Sequence, residues 1–167
     1  WRRVNLMDED LYIFNSLSGE KEIFKPIKSG EVSIYVCGPT VYSSSHMGHA
    51  RSAIVFDTIV KFLNFIKLKV TYVRNFTDID DKIINRAIKE KVSHDKISEK
   101  YKLEYIEDMK SLGCSEPDFQ PCVSDNLPEI VDLIKNIIDK GFGYENGGDV
   151  YFNVKKFKEY GKLSNQS

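Results

Sequence analysis

Residues 32 to 37 read Val-Ser-Ile-Tyr-Val-Cys, a β-branched and aromatic run that halts at Gly38-Pro39. A run so nearly continuous in apolar residues predicts a strand buried on both faces of a parallel sheet. Gly-Pro is a strong breaker, and the polar stretch Thr40 to Ser45 reads as a loop. Apolar residues then recur at helical spacing from about Gly48 to Ile66: Ala50, Ala53, Ile54, Ile59, Leu63 and Ile66. Lys61, Asn64 and Lys67 fall at polar positions. Val70 to Val73 is a second strand of the buried type. Residues 32–73 therefore predict a right-handed βαβ unit, α/β in class, with a ligand site at the carboxyl end of its first strand.

The surroundings of this unit are punctuated clearly. Leu11 to Phe14 and Glu22 to Phe24 predict two strands turning at Ser18-Gly19. Lys82 to Glu90 predicts a short helix. Ser93 is placed to cap a longer one to Leu112, with the stripe Ile97, Tyr101, Tyr105, Met109 and Leu112, and Gly113 just past its end. Glu116 to Pro121 reads as a loop. Pro128 sits in the first turn of a further helix closed by Gly141, and Asn146-Gly147-Gly148 predicts a hairpin. Met109-Lys110-Ser111-Leu112-Gly113 belongs to a helix stripe and its cap, by its periodicity.

Composition narrows the class further. The chain has 167 residues, 41% hydrophobic and 29% charged, with a net charge of -1; these are values of an ordinary soluble globular protein. The absent basic excess gives no support to a dedicated nucleic-acid face, although a local patch would suffice. Cys37, Cys114 and Cys122 are odd in number and lack a framework, which favours a reduced cytoplasmic chain over a disulfide scaffold. No apolar leader stands in residues 1–7 and no apolar run reaches membrane-spanning length, so neither a signal peptide nor a membrane partner is expected. Asn75-Phe76-Thr77 matches a glycosylation sequon that carries no meaning in such a chain.

Three groups of residues can carry chemistry. His46 and His49 stand three apart where the helix begins, on one side of its first turn. Free N–H groups and partial positive charge there suit an anion such as a triphosphate, and two imidazoles can donate to phosphoryl oxygens. Gly48 would let a flat base or ribose approach the backbone. Taken alone, both histidines are equally readable as surface or capping residues. Cys37, at a strand's end, reads by itself as a small core residue. Asp80 and Asp81 read as the cap and dipole complement of the next helix, and metal carboxylates are the other reading.

The wider strings narrow these choices. His46-Met47-Gly48-His49 resembles the His-Ile-Gly-His signature of class I aminoacyl-tRNA synthetases. Tyr35-Val36-Cys37-Gly38-Pro39-Thr40-Val41-Tyr42 and Tyr72-Val73-Arg74-Asn75-Phe76-Thr77-Asp78-Ile79-Asp80-Asp81-Lys82-Ile83 resemble the cysteinyl-tRNA synthetase family in particular. Phe14 to Leu17, Gly148 to Phe152 and Tyr160 to Ser164 support the same likeness. The resemblance implies an incomplete Rossmann-like nucleotide-binding fold of the class I synthetase type, with helices inserted after the second parallel strand. Residues 1–167 would be the N-terminal portion of a catalytic domain: 11–90 its first Rossmann half with the ATP and cysteine site, 91–167 helices and a hairpin leading onward.

It also implies an activity. L-Cysteine would be activated with ATP and Mg2+ to cysteinyl-adenylate and passed to tRNA(Cys), by a monomeric cytoplasmic enzyme. His46 and His49 would be catalytic, and with Gly48 would bind ATP. Gly38, Thr40 and Thr77 would line the cysteine pocket. Cys37 would be one of four Zn2+ ligands, the family's further cysteine, histidine and glutamate having no counterpart in these residues. A piece of the domain is expected to be inactive alone. The alternatives are a cysteine ligase of the mycothiol pathway, which joins cysteine to an amino sugar, and a truncated paralogue that only binds nucleotide. Thr40-Val41-Tyr42 and Asp81-Lys82-Ile83 favour the synthetase.

Overall fold

The computed structural model describes residues 10–164. The opening residues 1–7, read above as lacking an apolar leader, lie outside them. In order, the elements are β1 (Tyr12–Asn15), β2 (Glu20–Ile23), β3 (Glu31–Val36), α1 (Met47–Phe65), β4 (Lys69–Arg74), α2 (Asp81–Glu90), α3 (His94–Ser111), α4 (Leu127–Asp139), β5 (Gly143–Asn146) and β6 (Asp149–Phe152). The chain is α/β. No helix among the described residues is long and apolar enough to cross a membrane.

Two compact units form, one of them Pro26–Asn126 and the other made from the segments on either side of it. The flanking unit contains the antiparallel pair β1–β2, with Asn15 opposite Glu20. It also contains α4 and the hairpin β5–β6, whose Asn146 lies opposite Asp149. Gly147 and Gly148 both take positive φ, 64° and 91°, as a two-residue hairpin turn requires. Phe142, Phe152, Phe157 and Tyr160 stack or meet edge to face beside it.

The central unit is the predicted strand–helix–strand. β3 and β4 pair in parallel from Glu31–Lys69 to Val36–Arg74. Beyond β4's other edge runs the loop 118–122, joined by parallel bridges Val73–Phe119 and Phe76–Cys122. Arg74 N–H donates to the Phe119 carbonyl at 3.0 Å and Phe76 N–H to the Pro121 carbonyl at 2.9 Å. The expectation that β3 is buried on both faces needs correction. Val32 and Val36 are buried, but Ser33 and Tyr35 are exposed, because among the described residues only one face of this strand is covered.

The core of this unit gathers Val41, Ala53, Phe76, Ile83, Ala87, Ile97, Tyr101, Tyr105, Met109 and Cys122. α3 supplies four of its members at helical spacing, as its stripe predicts. Leu112 departs from that stripe: it is the C-cap residue and exposed. Past it, Gly113 at φ 76° lets Gly113 N–H reach the Lys110 carbonyl and Cys114 N–H the Met109 carbonyl, a Schellman cap. Ser93 stands at α3's N-cap but makes no side-chain capping bond. The compact units divide the chain after Lys25 and Asn126, and α2 and α3 share one core.

Candidate functional site

β3 and β4 do not end their association at Val36 and Arg74. Thr77 N–H donates to the Pro39 carbonyl at 3.1 Å, and Val41 N–H to the Thr77 carbonyl at 3.2 Å. These bonds set Thr40 beside Thr77 in a parallel bridge. Gly38 lies just before it, its N–H donating to Asn75 Oδ1 at 2.8 Å. Gly38 is glycine for a steric reason: a Cβ there would stand 1.6 Å from the Asn75 carbonyl oxygen. Three residues singled out from sequence, Gly38, Thr40 and Thr77, are thus brought together at the carboxyl ends of the parallel strands, where α/β folds place ligands.

The start of α1 is built by its histidines. His46 is the N-cap, in extended conformation at φ −132°, ψ 173°. Its Nδ1 accepts the Gly48 N–H at 3.0 Å, while His46 N–H donates to His49 Nδ1 at 3.2 Å. This is a reciprocal cap of the kind usually made by Ser or Thr with Glu or Gln. It has a chemical consequence. A neutral imidazole has one acceptor and one donor. With each Nδ1 accepting, the proton of each neutral ring resides on Nε2, which leaves both histidines an Nε2–H as donor. The rings stack at 4.0 Å between centroids and 21° between planes. His49 is half-buried, and burial first, then the neighbouring His46, lowers its pKa below the ordinary 6.5. It is therefore held neutral at pH 7, as its acceptor role requires.

Gly48 also has a local reason to be glycine. A Cβ there would meet His46 Cε1 at 2.8 Å and Nδ1 at 3.0 Å. The folded-back His46 ring takes that space. α1 carries no acidic residue in its first turn, so its dipole is left uncompensated for an external anion.

Cys37 follows β3 directly and is exposed, its Sγ 3.8 Å from the Gly38 carbonyl oxygen. This corrects the reading of it as a core residue. An exposed thiol fits one position of a tetrahedral thiolate-type zinc site. The described residues do not make up such a centre, since among them no group of three or more His, Cys, Asp or Glu side chains is arranged to hold a metal ion.

The acidic run has structural duties. Asp80 caps α2, Oδ1 accepting the Lys82 N–H at 2.8 Å, and Asp81 lies in the first turn. Asp78 holds the turn at Ser124 through its backbone N–H at 3.1 Å and its hydroxyl. Sequence reasoning overlooked Asn75, which latches Gly38; the sequon had drawn attention to the wrong property of that residue. It overlooked Arg86 too, which donates to the Tyr42 carbonyl at 2.7 Å and so ties the loop before α1 to α2.

Comparison with known proteins adds to this geometry. Residues 23–167 match the family described as tRNA synthetases class I (C) catalytic domain. The cysteine–tRNA ligase of Persephonella marina is 52% identical over 157 residues, covering 94% of this chain and 32% of the relative. That of Sulfurihydrogenibium sp. is 51% identical over the same length. That of Methanococcus vannielii is 50% identical over 155 residues, 93% of this chain and 33% of the relative. The chain spans about a third of the length of the curated relatives it matches.

Proposed function

Because the chain belongs to the class I (C) family of tRNA synthetase catalytic domains, we propose that it carries part of a cysteine–tRNA ligase active site on a Rossmann-like half-fold. In this reading L-cysteine and ATP, with Mg2+, give cysteinyl-adenylate and pyrophosphate. The cysteinyl group then passes to tRNA(Cys). The complete enzyme is a cytoplasmic monomer, and these residues alone do not aminoacylate.

The observation that carries the reading is the reciprocal histidine cap. It occupies both Nδ1 atoms as acceptors and so leaves each neutral ring its Nε2–H as donor, beside a helix N-terminus of uncompensated positive potential. Donors held in place before the reaction lose little energy to reorganisation as charge develops on phosphoryl oxygens. His46 and His49 are the proposed catalytic donors. Gly48, proposed to bind ATP with them, contributes by admitting the folded His46 ring.

Gly38, Thr40 and Thr77 are the proposed cysteine-pocket residues, supported by their adjacency across the strand ends. Cys37 is proposed as one Zn2+ ligand, supported by its exposure beside them, the other ligands lying outside these residues. Zinc when bound would supply a soft acceptor for the substrate thiol, which a serine hydroxyl matches poorly.

The test is a chimera in which these residues replace the matching third of the Persephonella marina ligase. Cysteine-dependent pyrophosphate exchange is expected, and its loss on His46→Asn or His49→Asn. Exchange unchanged in both variants would remove the histidines from the reaction. Charging of an amino-sugar acceptor in place of tRNA would favour the other cysteine ligase.

A further inference from the structure

His49 has two neighbours that define its ring. One is His46, stacked on it at 4.0 Å. The other is Tyr105, whose ring stands 6.3 Å away at 83°, edge to face, a favourable arrangement for aromatic pairs. Tyr105 belongs to α3, far from α1 in sequence, and is buried. It is fixed from two further directions. Phe76, 1% exposed, meets it at 5.7 Å and 86°. Its hydroxyl accepts Arg74 Nη1–H at 2.8 Å.

Arg74 makes this last contact unusual. It is 5% exposed, and its Nε and Nη2 have no partner among the described residues. Its guanidinium lies 5.6 Å from the Tyr72 ring centroid. A buried guanidinium with few partners is costly, so its bond to the tyrosine hydroxyl constrains both groups strongly. No comparable arrangement is needed simply to fill the core, where a phenylalanine would serve.

We propose that Tyr105, held by Arg74, is a positioning residue that sets the orientation and tautomer of His49. The near-perpendicular phenol ring limits rotation of the imidazole, and so keeps Nδ1 on the His46 N–H and the proton on Nε2. The first turn of a helix frays readily; a side-chain ring held from α3 offsets that freedom at His49. This inference rests on the phosphate-donor reading of His49 for its functional value, but not for its measurement.

The experiment is nitrogen-15 NMR of the histidine rings in the chain, compared with Tyr105→Phe and Tyr105→Leu, with His94 as internal reference. Wild type is expected to show His49 as the Nε2–H tautomer, with nuclear Overhauser contacts to the Tyr105 ring. Tyr105→Leu should move His49 toward tautomer averaging and shift its titration midpoint up toward 6.5. Tyr105→Phe should give an intermediate shift, since the ring stays while Arg74 lets go. His94 should not move. Unchanged His49 signals in folded variants overturn the proposal. If a variant fails to fold, the wild-type Overhauser contacts decide alone, and their absence overturns it equally. ATP is added last: if the predicted His49 shifts occur but nucleotide perturbs neither histidine, the positioning stands and the phosphate reading falls.

Discussion

The main-chain N–H of His46 donates to Nδ1 of His49, so the residue that caps α1 is itself capped by the residue three positions on. This bond exists only while His49 is neutral, because a protonated imidazole has no acceptor. The folded state therefore disfavours the proton, consistent with the lowered pKa, whose causes are burial and then His46. The unfolded chain binds more protons below 6.5, so stability rises with pH there. The contribution is full above 6.5 and is lost as pH falls through the lower folded value. Gln at this position can make the same capping bond without titrating. His49→Gln should retain stability at pH 7.5 within about 1 kcal/mol and flatten the slope below pH 6.5. Urea midpoints across that range, compared between the two proteins, give the answer; equal slopes contradict it.

Gly38→Ala tests the closure of the strand ends. The added carbon would fall 1.6 Å from the Asn75 carbonyl oxygen, a backbone atom that cannot swing aside. The Gly38–Asn75 bond would break as the segments part. The expected loss is roughly 3 kcal/mol or more, from overpacking and an abandoned hydrogen bond. Chemical denaturation reads it directly, and a loss under about 1 kcal/mol would mean the segments yield easily.

Gly48→Ala separates stability from function. Alanine gains up to about 1 kcal/mol of helix propensity over glycine, while displacing the His46 ring costs about as much in lost capping. The two nearly cancel, so the thermal midpoint should move little. On the proposed reading, displacement of the His46 ring would weaken ATP binding. A calorimetric titration showing equal ATP binding by this variant and the wild type would contradict that reading.

The three thiols should react in order of exposure. Cys37 is exposed, Cys114 half-buried and Cys122 buried. Burial raises the pKa of both Cys114 and Cys122 and so depletes their reactive thiolate. Ellman's reagent should modify Cys37 first and Cys122 last, and Cys37→Ser should abolish the fast phase. That substitution should alter stability by less than about 0.5 kcal/mol, as is usual at exposed positions.

Much of this was legible in the sequence because it depends on local pattern. The helical spacing along α1 and α3, the glycine stops at Gly113 and Gly141, and the hairpin at Gly147-Gly148 each follow from residues within a few positions. The adjacency of Gly38, Thr40 and Thr77 follows from the parallel register of two recognisable strands. What could not be read depends on distant partners. Asn75 gives no sign that its side chain seals Gly38, and Tyr105 looks like any stripe residue until His49 and Arg74 are seen around it. The cap made by His46 was missed as a donor-fixing device because imidazole is an uncommon cap, and its two nitrogens divide their duties only in three dimensions. Tyr35 reads as core by composition, yet exposure is set by which elements cover a face, and no short window contains that.

The loop along the outer edge of β4 has a consequence for the order in which the molecule is made. Tyr72 takes its partner from Asp118, 46 positions later, through a 2.7 Å bond, and Val73 and Phe76 wait for Phe119 and Cys122. On a ribosome, β3, α1 and β4 emerge well before that edge is supplied, and before α3 brings Tyr105. Long-range pairing of this kind slows folding because the intervening chain must first be closed into a loop. The histidines at α1 thus leave the exit tunnel early, but their surroundings are assembled only when translation has passed Cys122. A nascent chain stalled ahead of that point should be open to protease at β4, and one stalled well beyond it should be protected.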